Sequence, residues 1–381
     1  MASSDQHHRR LAFQEAMELL PLSTADGGRR FMSRRGAWLP GLDLEELRSS
    51  FGSGQFRAHD AAFGGHVYSQ SVLAVCKTVG EEDGGKENGA SPGLHTIHGY
   101  FTSKGKHDRP FVYNVTVMTR GRSFVTARVD ARQPLQPSAV LFGKPFPLAD
   151  ANMPLGPVCF MAVVSFVQPQ PHSLGQDRQE PPVQKRFASI LETRLPSRWD
   201  PSPPVDMNVI LAVMGRRDIV GTFPIADMKK VEMGPYNEGR PLHEQRELIL
   251  YRLLAPLPHE TAVEADSHVL VHAYTADRNG LLMAANNLNF ALNEKVASLS
   301  NTFVVHTNVE SAVMAYHDGH GAGDDLGHWW VQEVCFPRAA AGRAIVMNKI
   351  WSPSGVHVAT EYQDGICTAH EEAGLNASWK L

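Results

Sequence analysis

The strongest constraint on this chain is that its two halves run through the same order of elements. Gly121-Arg122-Ser123-Phe124-Val125-Thr126 in the first half answers to Gly342-Arg343-Ala344-Ile345-Val346-Met347 in the second. Each opens a long strand-like run after a turn, and in each half one helix-like segment precedes several antiparallel strands. Such a half buries its helix against the sheet that follows it. The expected class is therefore α+β: a long antiparallel sheet wrapped round one helix, twice over, with an unrelated pair of α+β domains as the alternative that spacing alone leaves open.

Local patterns supply the pieces. His66–Val79 sets Tyr68, Val72, Val75, Cys76 and Val79 on one helical stripe. Gly64-Gly65 precedes it, where the backbone turns sharply or passes close to something. Asn279–Leu292 reads as the second central helix, started by Asp277-Arg278-Asn279-Gly280, and Glu244–Leu254 reads as an amphipathic helix. Strands are expected at Leu94–Thr102, Phe111–Thr119, Ser123–Arg132, Ser267–Ala276, Thr302–Thr307, His328–Cys335, Arg343–Trp351 and His357–Tyr362. These divide the chain into a tail at 1–44, repeats at 45–170 and 205–370, a Pro-rich linker at 171–204 and a second tail at 371–381.

Composition excludes several classes. Hydrophobic residues make up 43% and charged residues 20%, enough apolar material for a sizeable core. Lys plus Arg number 36 against 40 Asp plus Glu, a net charge of −4, which argues against a nucleic-acid partner bound through its phosphates. No apolar run approaches the ~18 residues of a membrane span. Met1–Arg10 is polar and holds no secretory core. Cys76, Cys159, Cys335 and Cys367 form no CxxC pair, so neither a disulfide scaffold nor a structural zinc is expected. His317, His320 and His328 lie in a glycine-rich, irregularly spaced loop, and no metal site is read there. What remains is a globular enzyme or small-molecule binder, expected in the cytosol. Trp379-Lys380-Leu381 is an imperfect form of the peroxisomal Ser-Lys-Leu address, which keeps that compartment as the second option.

An ordered series of motifs carries a likeness. Phe63-Gly64-Gly65-His66-Val67-Tyr68-Ser69-Gln70-Ser71, His98-Gly99-Tyr100-Phe101, Asp108-Arg109-Pro110-Phe111 and Gly121-Arg122-Ser123-Phe124 resemble the type II acyl-CoA thioesterases. Tyr236-Asn237-Glu238-Gly239, Ala276-Asp277-Arg278-Asn279-Gly280-Leu281-Leu282, Lys349-Ile350-Trp351-Ser352 and Tyr362-Gln363-Asp364-Gly365 resemble the fungal branch of that family. The likeness runs over roughly 51–370. It implies a double hotdog fold, two repeats with joined sheets, and hydrolysis of acyl-CoA thioesters without a covalent acyl-enzyme. It also implies an Asp, a Ser or Thr, and a Gln in the second repeat that orient the attacking water.

Two of those three positions depart from the family. Ser300 of Ser298-Leu299-Ser300-Asn301-Thr302 stands where the family has Asp, and Phe336 stands at the hydroxyl position; Gln363 matches. The candidate catalytic residues are then Gln363, Ser300, Thr302 and His306, the last expected on the face of Ser300 as a substitute base. Phe336, His66 and Gly65 are the candidate substrate-binding residues. His95 and His98, three apart on a strand, are expected on opposite faces. The functional expectation is a thioesterase-like enzyme acting on a hydrophobic acyl or small-metabolite substrate in secondary metabolism, needing no cofactor, with coenzyme A entering only as part of a substrate. Two alternatives stay open: a repurposed hotdog enzyme that cyclises (Diels–Alder type) or isomerises a small metabolite, and a ligand-binding protein without turnover. The expected partners are a hydrophobic small molecule or acyl-CoA and, through hotdog sheets, a second copy of the chain.

Overall fold

The computed structural model describes residues 10–23, 28–39, 61–83, 91–140, 143–171, 178–202, 223–278, 280–288, 295–317 and 325–368. One sheet of thirteen strands organises them: β1 (Leu19–Leu22), β2 (Arg29–Ser33), β3 (Gly93–Phe101), β4 (Val112–Arg120), β5 (Phe124–Pro134), β6 (Leu155–Val167), β7 (Asp200–Pro201), β8 (Ala226–Lys230), β9 (Arg246–Leu253), β10 (Lys295–Val305), β11 (Trp330–Ala340), β12 (Arg343–Trp351) and β13 (His357–Thr368). Their spatial order is β1-β2-β4-β5-β6-β3-β10-β13-β12-β11-β9-β8-β7. Read from its centre, the order β3-β6-β5-β4-β2 on one side repeats as β10-β13-β12-β11-β9 on the other. This is the double hotdog. The repeats join where β3 pairs antiparallel with β10, Thr302 opposite His98.

Two long helices pack in the main core with the sheet. Helix α1 (Gly64–Asp83) and helix α2 (Ala262–Ala276) pack antiparallel. Ser69 Oγ donates to the Leu270 carbonyl at 3.2 Å, and a Cβ on Gly80 would sit 2.6 Å from Val263. Thr261 caps α2: its side chain accepts from the Glu264 N–H while the Glu264 carboxylate accepts from the Thr261 N–H. A short helix α3 (Gly280–Asn287) follows after a break at Asp277-Arg278.

Several expectations are corrected here. The second central helix is α2, over residues expected to form a strand at Ser267–Ala276; the helix expected at Asn279–Leu292 is only the short α3, with 289–292 outside the described residues. Glu244–Leu254 is strand β9, not a helix. It is buried on both faces, Leu248 and Leu250 in one apolar cluster and Ile249, Tyr251 and Leu253 in the main core, so its apolar run shows no strand alternation. The supposed tail contributes β1 and β2, anchored by Phe31 and Met32, which are 3% and 0% exposed. The supposed linker packs Val183, Phe187, Leu191 and Trp199 against Trp329 and Trp351. The tail at 371–381, with its Trp379-Lys380-Leu381, lies outside the described residues, as does His320; His317 and His328 touch ring to ring, Nε2 to Nδ1 at 2.9 Å. No described helix is long and apolar enough to cross a membrane.

Candidate active site

The start of α1 meets the end of α2 at two glycines. A Cβ on Gly64 would lie 3.0 Å from Asp277 Oδ2, and one on Gly65 would lie 2.7 Å from the Phe63 ring and 3.0 Å from the Tyr274 carbonyl. At Gly65 a side chain would have to displace both, so glycine there lets the helix start approach this closely. Asp277 is the C-cap residue of α2 and is 7% exposed.

Three side chains from the sheet converge on one oxygen of Asp277. Gln363 Nε2 of β13 donates to Oδ1 at 2.6 Å, Asn301 Nδ2 of β10 at 3.0 Å, and Ser298 Oγ at 3.3 Å. The Gly65 N–H donates as well, so the carboxylate faces the positive end of α1. Burial pushes the Asp277 carboxyl up to about 6, and the hydrogen bonds from Asn301, Gly65, Ser298 and Gln363 stop it rising further. A base held just below neutrality, with its lone pairs fixed by amides, is equipped for proton abstraction near pH 7.

The polar chain continues inward. Asn301 Nδ2 also reaches Glu361 Oε1 at 3.3 Å; Asn348 Nδ2 donates to Glu361 Oε2 at 2.7 Å; Gln332 Nε2 donates to Asn348 Oδ1 at 2.9 Å. Glu361 is 0% exposed, and burial together with the charge of Asp277 drives its carboxyl well above the usual range. Asn301 Oδ1 and Gln363 Oε1 are buried without a partner among the described residues.

Of the expected catalytic residues, Gln363 lies in this cluster and the others do not. Gln363 and Asn301 are ladder partners on the inner face, whereas Ser300 pairs with Tyr100 and Asp364, and Thr302 with His98 and Tyr362. Tyr100 and Tyr362 are 56% and 48% exposed, so Ser300 and Thr302 belong to the outer face. Thr302 Oγ1 meets His98 Nδ1 there at 3.3 Å. His306 also lies outside, against Thr360 at 2.8 Å and the His357 ring. The register slip between Ser298 and Ser300 explains this: it inserts one residue, so Ser298 and Asn301 both face inward around it. A similar slip at Leu94/Thr96 turns His95 onto the face of His98; His95 and Thr96 both contact Ser165 Oγ, at 3.2 and 2.6 Å.

Gly65 is at the site, its N–H on Asp277. His66 is fully buried one residue on, beside Gln70 and edge-on to Tyr274 at 6.5 Å; burial pushes its imidazole down to about 4, so it is neutral. Phe336 is 1% exposed in the main core, on the inner face of β11 with Gln332 and Val334. Sequence reasoning missed Asp277, Asn301, Ser298 and Glu361, although Asp277 stood in a quoted motif.

A cavity of about 540 Å³ opens at the opposite end of the helix pair, lined by Leu94, Val167, Ala262, Asp266, Asn308 and Val313 among others. Asp266 accepts the Leu94 N–H there at 2.8 Å, and burial pushes it up to about 7. Eleven residues of helix, about 16 Å, separate it from Asp277. This cavity is thus remote from the carboxylate cluster.

Comparison with known proteins fits the geometry. Residues 53–167 match the family described as the acyl-CoA thioesterase N-terminal domain. Among solved structures, the acyl-CoA thioesterase II of Mycobacterium marinum aligns with TM-score 0.52 and 21% identity, over 94% of this chain and 99% of that one. A thioesterase II structure from Thermobifida fusca aligns with TM-score 0.54 and 11% identity, over 94% and 98%. A TesB protein of Mycobacterium avium subspecies paratuberculosis gives 0.52 and 16%, over 93% and 98%. At these identities the structural likeness speaks for the fold. A comparison with curated protein sequences finds no match. Residues 53–167 thus resemble the acyl-CoA thioesterase N-terminal domain, and the chain as a whole has the double hotdog fold of the thioesterase II structures.

Proposed function

We propose that the chain hydrolyses an acyl-CoA thioester, with Asp277 as the general base in place of the Asp that position 300 lacks. The observation that carries this is the 2.6 Å hydrogen bond from Gln363, the one residue retained from the family's constellation, to Asp277. In this reading a water held by Asp277 and Gln363 Oε1 attacks the thioester carbonyl carbon. The new C–O bond forms as the water proton passes to Asp277. Collapse of the tetrahedral intermediate breaks the C–S bond, and the leaving sulfur takes the proton back. The products are the carboxylic acid and the free thiol.

The test is steady-state turnover of short, medium and long acyl-CoAs by wild type, Asp277→Asn and Gln363→Ala. Loss of the base is expected to lower kcat about 10²–10⁴-fold. Wild-type turnover no faster than that of Asp277→Asn would overturn the reading.

A second reading is favoured by Phe336, which is 1% exposed on the inner face where the family carries a hydroxyl. A drier site of this kind suits cyclisation or isomerisation of a compact metabolite held in a reactive conformation. Phe336→Ser would then abolish the native reaction, whereas hydrolysis would tolerate the added hydroxyl.

A further inference from the structure

The inner face of the second repeat holds two buried carboxyl groups, and one amide touches both. Asn301 Nδ2 lies 3.0 Å from Asp277 Oδ1 and 3.3 Å from Glu361 Oε1. Two acids this close, both out of water, cannot both ionise without a large repulsion. We infer that Asp277 and Glu361 form a dyad that carries one proton between them, bridged by Asn301, with the negative charge resident on Asp277 and the proton on Glu361.

The assignment within the pair follows from their surroundings. Asp277 receives Gln363, Ser298, Asn301 and the Gly65 N–H at the start of α1. Among the described residues Glu361 receives only Asn348 and the longer arm of Asn301, and Asn348 divides its amide between Glu361 and the Ala276 carbonyl at 3.2 Å. More donors and a helix start favour the anion on Asp277. Of the titratable and charged groups around the pair, α1 contributes Tyr68, whose hydroxyl feels both carboxyls, and the end of α2 contributes Tyr274 and Arg278. The strands contribute neutral amides and one hydroxyl. Burial and the neighbouring Asp277 charge raise Glu361, consistent with its holding the proton.

This deepens the hydrolase reading and rests on it for its catalytic consequence alone. Glu361 touches no substrate and acts through Asp277 as a positioning residue. The pair begins with one proton, holds two while the tetrahedral intermediate stands, and returns to one when the thiol leaves. The active form is the single anion, so kcat/KM should fall on both sides of neutrality. The acid limb is protonation of Asp277 and the alkaline limb is ionisation of Glu361.

Two measurements on the full chain test this. Infrared difference spectra at pH 7.5 should contain a protonated-carboxyl band that shifts when glutamate is ¹³C-labelled at its carboxyl in the wild type, and that is missing from Glu361→Gln. The labelled wild type keeps the test valid should that variant fold poorly. The pH profile of Glu361→Gln should lose the alkaline limb and keep the acid one. Absence of a protonated glutamate at pH 7.5, or both limbs intact in Glu361→Gln, overturns the dyad. If the band is present but no acyl-CoA is turned over, the dyad stands and the hydrolase reading falls.

Discussion

Gln363 reaches Asp277 across 86 positions of sequence, Nε2 to Oδ1 at 2.6 Å, and so ties the end of α2 to strand β13. The bond links a residue that the sequence motif singles out to one that it does not. It also sets a cost, because Asp277 is enclosed and its carboxyl stands at about 6.

That cost is measurable. A carboxyl whose folded value exceeds its unfolded one makes the native state bind protons more tightly, so stability falls as pH rises from about 4 to 6 and stays lower above that. Asp277→Asn removes the titration. At pH 7.5 it should be more stable than wild type by on the order of 2 kcal/mol, and the wild-type-minus-variant difference should vanish near pH 4. Denaturant melts at both pH values check this. A variant less stable than wild type at pH 7.5 refutes it.

His272 behaves oppositely. Its Nε2 lies 2.8 Å from the Ala312 carbonyl, which can only accept, so Nε2 carries the hydrogen and Nδ1 accepts from Tyr251 Oη at 2.7 Å. Burial pushes this imidazole down to about 3. Stability from a lowered histidine is present above about pH 6.5 and is lost as pH falls toward the folded value. Tyr251→Phe leaves Nδ1 buried without a donor and should cost about 1–3 kcal/mol, read in urea melts at pH 7.5. A cost under half of that would show that another donor takes the place of Tyr251.

What the sequence made legible follows where residues had one role. Strand β12, with one half-buried face, was expected at its observed bounds, Arg343–Trp351; β3, β4 and β5 were expected to within two residues at either end. Helix α2 was not, because all of Asp266–Ala276 is buried and a helix buried all round has no polar stripe to betray its period. Its β-branched and aromatic stretch then reads as strand. The Thr261–Glu264 capping box was the signal that could have found it. At the site, Gln363 was legible through its motif. Asn301 and Ser298 were hidden by a bulge, since one inserted residue inverts which face every later side chain takes. Asp277 reads in the sequence as part of a start signal for a helix at Asn279–Leu292, whereas in the structure it is the C-cap that ends α2.

The segment read as a linker is expected to contribute stability through one ion pair. Arg186 donates to both oxygens of Glu333, at 2.8 and 2.6 Å, and Trp351 Nε1 adds a third donor at 3.2 Å. Burial alone would raise Glu333, but Arg186, aided by Lys349 and Arg246, holds it below the usual range. Arg186→Ala should cost about 2–4 kcal/mol, somewhat under the usual figure for breaking a buried pair because Arg246 remains. The loss should shrink below about pH 4.5, where Glu333 takes up a proton in the unfolded chain. Unchanged stability would show that residues 178–202 are not docked in solution.

The two glycines ahead of His66 should separate catalysis from packing. A methyl on Gly65 would meet the Phe63 ring at 2.7 Å and the Tyr274 backbone oxygen at 3.0 Å, and the oxygen cannot retreat without moving α2. Gly65→Ala should therefore destabilise by about 1–3 kcal/mol, as overpacking does. A methyl on Gly64 would meet Asp277 Oδ2 at 3.0 Å and the Phe101 ring at 3.2 Å, both of them side chains that can yield by a few tenths of an ångström. Its folding cost should be smaller, under about 1 kcal/mol, since alanine favours the helix. Its effect on turnover should be the larger, because it pushes the carboxylate off the Gly65 N–H and out of line with the water it holds in the proposed mechanism. Gly64→Ala should lower kcat about tenfold or more, the order of loss that a displacement of this size can cause, with little change in KM. Stability and acyl-CoA turnover measured on both variants decide the matter. If Gly64→Ala turns over substrate like wild type, the carboxylate that matters is not Asp277.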